Sequence, residues 1–191
     1  MIALITGASS GIGKEMAKNL ATRGVNLILV ARRTERLLAL KEEIVYNCPE
    51  IKVKTITADL SKEDQCFELY DRVKEYKIDF LFNNAGFGLY GPFLETDLKD
   101  ELSMINVNIK AVHILTKLFL RDFAARNSGY ILNTASVAGF MAGPLLATYY
   151  ATKNYVVQLT KAVYEELRST GSRVVTVSYT HLRAHETEAD L

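Results

Sequence analysis

Apolar residues return along this chain in two alternating periods. Short runs of Ile, Leu and Val give way to longer stretches in which apolar positions recur every three or four residues. Ile2, Ala3, Leu4 and Ile5 lead to Gly7; Ile12, Met16, Ala17 and Leu20 then keep helical spacing until Gly24. Residues 25–31 read as a buried strand, followed by a charged helix carrying Leu37, Leu40 and Ile44. Residues 52–58 alternate as a third strand, and Ser61 is placed to cap a helix with Phe67, Tyr70 and Val73 on one face. A fourth strand over 78–82 precedes a long helix over 96–125, with Leu102, Ile105, Ile109, Val112 and Leu115 on its apolar side. Residues 130–135 form a fifth strand, 149–169 a further helix and 173–178 a sixth strand.

Strands without strict polar alternation, each followed by a helix, imply an α/β fold: a three-layer, doubly wound parallel sheet covered on both faces. Right-handed crossovers put ligands at the carboxyl ends of its strands. No repeat, low-complexity tract or linker divides the chain, and only residues 179–191 stand outside the pattern. Residues 127–152 carry no charge, long enough to span a bilayer, but Gly139, Gly143 and Pro144 break any helix there. A buried strand, a loop and a helix start are expected instead, with no membrane span.

Composition narrows the classes. A length of 191 residues suits one domain, and 49 % hydrophobic with 24 % charged residues is globular. Twenty-three basic against 22 acidic residues argue against a nucleic-acid partner and a polybasic membrane surface. The N-terminal apolar run reaches Gly7 too soon for a secretory signal, and Cys48 and Cys66 lack disulfide or metal spacing; a cytoplasmic location and no bound metal are expected.

The first strand–helix turn carries the first chemistry. Thr6, Gly7, Ala8, Ser9, Ser10, Gly11, Ile12 and Gly13 set glycines where a sharp turn, close approach of a pyrophosphate and helix–strand packing need them. Helix-start N–H groups then face the anion. No Gly-Lys-Ser/Thr follows, which excludes a P-loop. A strand-end carboxylate would hold a ribose 2′-hydroxyl; the second strand ends instead in Arg32 and Arg33, suited to a 2′-phosphate. NADP(H) is therefore preferred, with NAD(H) the alternative; one of the two arginines is expected simply to face water.

With this turn, Asp59-Leu60 after the third strand, Asn83-Asn84-Ala85-Gly86 after the fourth, and Tyr149-x-x-x-Lys153, the chain resembles the short-chain dehydrogenase/reductase family over residues 2–178. The resemblance implies a Rossmann-type domain over residues 1–178, with members that reduce carbonyls or oxidise alcohols using NAD(P). Asp59 and Leu60 are expected to border the adenine; Asn83, Ala85 and Gly86 to line the adenosine ribose side and brace the sheet.

Tyr-x-x-x-Lys occurs twice, as Tyr70–Lys74 and Tyr149–Lys153. Tyr70 lies where the family has only a covering helix, whereas Tyr149 follows Ser136, just after the fifth strand. Tyr150 has Asn154, not a lysine, four residues on. Residues four apart share a helix face, so Lys153 is expected near the Tyr149 hydroxyl, favouring its phenolate. Tyr149 would act as general acid or base and Ser136 would bond the carbonyl oxygen. Asn108, with Asn106 the competing choice, matches the family asparagine; there it would interrupt the helix and hold a water in a Lys153 proton relay.

Phe87, Leu89, Tyr90, Phe93, Phe140, Met141 and Leu145 follow the site turns; they line a pocket for a lipophilic carbonyl or serve plain core packing. Small-molecule carbonyls or alcohols are the expected partners, and a homodimer or homotetramer the expected assembly. The family continues with a Pro-Gly turn, a substrate lid and a seventh strand; these are missing here. Residues 179–191 read instead as a foreign-looking, disordered tail on a truncated chain, resembling translated adapter sequence, with His181 and His185 solvated. The rival readings are an inactive fragment, a non-catalytic nucleotide sensor, and an epimerase or dehydratase of the extended branch.

Overall fold

The computed structural model describes residues 1–169 and 174–179. Six parallel strands, β1 (Ile2–Thr6), β2 (Asn26–Ala31), β3 (Val53–Thr57), β4 (Phe80–Asn83), β5 (Gly129–Thr134) and β6 (Val174–Tyr179), lie in the order β3-β2-β1-β4-β5-β6. That order reverses direction between β1 and β4, which opens a crevice at the carboxyl ends of those strands.

Alternate residues of each strand feed opposite layers. Ala3 and Ile5 of β1, with Leu27 and Leu29 of β2, pack under helices α1 (Gly11–Thr22) and α2 (Thr34–Asn47). Leu4, Ile28, Leu81 and Ile131 face the other layer, built by α3 (Glu63–Val73) and α5 (Val112–Ala125). Helix α6 (Ala147–Ser169) packs against β5 and β6. The charge-free stretch resolves into β5, a single 3₁₀ turn at Val137–Phe140 and the start of α6. No helix among the described residues is long and apolar enough to cross a membrane. The expected tail, with His181 and His185, lies outside the described residues apart from Tyr179, which ends β6.

Three local expectations are corrected. Ser61 does not cap α3, because its N–H and hydroxyl both donate to Asp59 Oδ1, at 3.1 and 2.8 Å; the nearer carboxylate wins. Helix α3 buries Val73 as expected, but Cys66 and Leu69 take the places of Phe67, which is exposed, and Tyr70, which is half-buried. The long helix is not uniform. Helix α4 (Leu98–Ile105) passes into a π-helical segment at Asn106–Ala111 before α5. The wider turn re-aims the buried face through Met104, Val107, Asn108 and Ala111, so Leu102 is exposed.

Candidate active site

Thr6 stitches the crevice together. Its hydroxyl accepts the backbone N–H of Asn84 and of Ala85, both at 3.0 Å, and donates to Phe82 O at 3.3 Å. The Asn84 amide donates to the carbonyls of Thr6 and Gly7 and accepts from the Thr134 hydroxyl, tying the ends of β1, β4 and β5 together.

The three glycines of the first turn have different reasons to be glycine. A Cβ on Gly13 would lie 2.5 Å from Gly7 O, and one on Gly7, at φ +65°, 2.8 Å from Ala85 Cα. Gly11, at φ +51°, has no atom within 4 Å of that position and so presents bare backbone to open space. Helix α1 begins there, and its N-cap Ser10 makes no side-chain cap bond, which leaves the first N–H groups for another acceptor. The Ser10 hydroxyl instead receives Arg33 Nη2 at 2.9 Å, with Ser9 Oγ at 3.4 Å from the same nitrogen. Ile12 is half-buried behind them, and Arg32 is exposed to water. An open glycine backbone, an uncapped helix start and a guanidinium beside two hydroxyls fit a phosphorylated dinucleotide.

Asp59 closes the turn after β3 through Ser61, with Leu60 buried behind it. Asn83 keeps the bracing half of its expected role. Strand alternation puts it on the same face as Leu81, so its side chain enters the interior and donates to Thr116 Oγ1 (3.1 Å) and Asn133 Oδ1 (2.9 Å). It braces the sheet and does not line the crevice. Ala85 is half-buried and Gly86 exposed at the crevice; a Cβ on Gly86 would lie 3.0 Å from Asn108 Oδ1 and 3.5 Å from Lys153 Nζ.

Ser136, Tyr149, Lys153 and Asn108 converge beside Gly86. Ser136 caps the 3₁₀ turn, its Oγ accepting from Ala138 N at 3.2 Å, and its hydroxyl lies close enough to the Tyr149 phenol to draw its pKa down. Gly88 lies against the Tyr149 ring, where a Cβ would sit 3.2 Å from Cδ2. Lys153 is buried, donates to Thr134 O at 2.8 Å and stands 5.8 Å from the Tyr149 ring centroid. Burial pushes the Tyr149 phenol above its usual 10, against the Ser136 bond that pulls it down; Tyr150 adds to the rise. The ammonium itself donates to Thr134 O, and burial lowers the Lys153 pKa to about 8.

Asn108, not Asn106, is the buried asparagine of the π-helical segment. Its Oδ1 accepts from Phe87 N (3.1 Å), and its Nδ2 donates to Phe87 O (2.9 Å) and Thr152 Oγ1 (3.1 Å). With both amide protons used, the side chain clamps the loop after β4. Tyr70 is elsewhere, bonded to both carboxylate oxygens of Asp122. Sequence reasoning missed Thr134 and Thr152 as site residues. The first acts through a backbone carbonyl, which carries no sequence signal; the second is legible only from its place beside Lys153.

A family model described as short chain dehydrogenase matches residues 1–189. The very-long-chain 3-oxoacyl-CoA reductase of Neurospora crassa is 37 % identical over 182 residues, which are 93 % of this chain and 55 % of that protein. This chain thus spans about half the length of that relative. A short-chain dehydrogenase from Sphingobium yanoikuyae in complex with NADPH superposes with a TM-score of 0.84 at 33 % identity, over 94 % of this chain and 71 % of the other. A short-chain dehydrogenase/reductase from Burkholderia phymatum in complex with NAD gives 0.85 at 32 % identity, over 93 % and 63 %. The chain belongs to the short-chain dehydrogenase family.

Proposed function

We propose that this short-chain dehydrogenase is an NADP(H)-dependent oxidoreductase interconverting a carbonyl and an alcohol, with NAD(H) as the alternative cofactor. The observation that carries the proposal is the gathering of Ser136, Tyr149 and Lys153 at the carboxyl end of β5, in the same crevice as an uncapped, glycine-opened helix start.

The cofactor supplies or accepts the hydride. The backbone of residues 7–13 would hold the pyrophosphate and Arg33 with Ser9 and Ser10 a 2′-phosphate, with Arg32 at the rim. Asp59 and Leu60 would border the adenine, and Ala85 and Gly86 the ribose. Ser136 orients the substrate oxygen and donates to it as negative charge develops. Tyr149 gives that oxygen its proton in reduction and takes it back in oxidation; a raised pKa keeps the proton in place until then. Lys153, protonated at neutral pH yet close to titration, restores the Tyr149 proton. Asn108 is a positioning residue, fixing Phe87 and Thr152 around them.

A lipophilic carbonyl is the substrate class best supported. Tyr90, Phe93, Phe140, Met141 and Leu145, following the site turns, are exposed rather than packed in the core, and a relative carries the name of a 3-oxoacyl-CoA reductase. A cytoplasmic location and assembly as a homodimer or homotetramer through the outer faces of α5 and α6 belong to the same reading. The test is a panel of short polar and long apolar ketones with NADPH. Turnover by the wild type and none by Tyr149→Phe supports the proposal; turnover of equal rate in both overturns it.

A further inference from the structure

Glu101 is a carboxylate on α4 with 8 % of its surface exposed, outside the set that carries the proposed chemistry. An acid group at that depth costs stability unless strongly bonded. Its partner is Thr96, whose hydroxyl donates to Oε1 at 2.5 Å, in the range of a charge-assisted bond. The Thr96 methyl meanwhile limits Gly91, where an added Cβ would lie 3.1 Å from Cγ2. Gly91 in turn donates its N–H to Leu145 O at 2.8 Å, and Leu145 holds φ +66°, a strained value for a leucine. Beneath these contacts lies a cavity of only about 10 Å³ between Glu101, Met104, Leu89 and Thr148.

The loop of residues 87–96 is therefore pinned along its length. Asn108 grips Phe87, Gly88 rests on the Tyr149 ring, Gly91 ties to Leu145, and Thr96 is latched to the buried carboxylate. The loop carries exposed Tyr90 and Phe93 toward solvent, and the facing loop carries Met141 and Leu145.

We propose that Glu101, acting through Thr96, is a positioning residue that sets this loop against the loop bearing Leu145, so that their apolar side chains form one wall for the apolar chain of the substrate. The proposal rests on Tyr149 as the acid–base group of a carbonyl reductase. Glu101 touches neither reacting atoms nor cofactor in it.

Thr96→Val removes the donor while keeping the shape, Glu101→Gln keeps an acceptor without charge, and Thr96→Ser restores the hydroxyl. Amide exchange at Gly91 is expected to speed up about tenfold in Thr96→Val, less in Glu101→Gln, and to return toward wild type in Thr96→Ser. With NADPH, KM for a long-chain apolar ketone is expected to rise about fivefold in Thr96→Val, with kcat and the KM of a small ketone unchanged. Unchanged Gly91 exchange in both Thr96→Val and Glu101→Gln overturns the proposal, as does an equal loss for small and long ketones. If the wild type reduces no carbonyl, the reading of Tyr149 fails, and the exchange measurement alone decides whether Glu101 sets the loop.

Discussion

Lys153 donates to the carbonyl oxygen of Thr134 at 2.8 Å, and its ammonium stands 5.8 Å from the Tyr149 ring centroid. Burial brings its pKa from 10.5 down to about 8. Between those values the unfolded chain binds the extra proton, so stability contributed by this site rises with pH through the window. Lys153→Met deletes the titration. Its stability relative to wild type is expected to fall by about 3 kcal/mol as pH goes from below 8 to above 10.5. Urea unfolding of both proteins across that range checks it; parallel curves would refute the buried ammonium.

Tyr149 titrates above 10 because it is buried, with the Ser136 hydroxyl pulling the other way. Reduction uses the protonated phenol and should be insensitive to this group below pH 10. Alcohol oxidation uses the phenolate and should climb about tenfold per pH unit until the pKa is reached. Ser136→Ala removes the opposing bond, so its oxidation limb is expected to lie at higher pH than the wild type's. Tyr149→Phe should lower both directions by about 10²–10⁴-fold. Steady-state pH profiles of the three proteins decide; an unmoved limb in Ser136→Ala would sink the assignment.

Arg33 and Arg32 are neighbours with different surroundings. Arg33 reaches Ser9 and Ser10 beside the open glycine, whereas Arg32 is exposed. Arg33→Ala is expected to weaken NADPH binding about 10- to 100-fold, the worth of lost charge-assisted hydrogen bonds. NADH binding should change by no more than about twofold, and Arg32→Ala should have a small effect on either. Titration calorimetry with both cofactors tests the split. Equal losses for NADPH and NADH would remove Arg33 from a 2′-phosphate site.

The sheet was legible because each strand pairs a buried apolar run with a turn and a periodic helix, and strand limits moved by two residues at most, as at β4. The site motifs were legible because glycines, Tyr149 and Lys153 are chosen by side-chain chemistry. Three features were hidden for physical reasons. The direction of Lys153 depends on a carbonyl oxygen, which every residue possesses. The bonds of Asn108 depend on Phe87 as backbone, whatever its side chain. The inward turn of Asn83 depends on strand register against α5, where a polar residue interrupts an apolar face.

The glycines of the first turn separate folding from binding. Gly13→Ala puts a methyl 2.5 Å from Gly7 O and 2.6 Å from the Asn84 amide, both held in place by the stitched ends of β1 and β4. Overpacking against fixed groups should cost about 1–3 kcal/mol. Gly11→Ala meets no atom within 4 Å, so its penalty is only the φ of +51°, about 1 kcal/mol. Its methyl would nevertheless project into the open space before the uncapped start of α1, where a pyrophosphate would come against the backbone. Thermal unfolding without cofactor should therefore rank Gly13→Ala as the less stable variant. Cofactor titration should show Gly11→Ala losing affinity by more than its stability loss explains. If Gly11→Ala binds NADPH like the wild type, the open glycine is a turn residue and the phosphate cradle lies elsewhere.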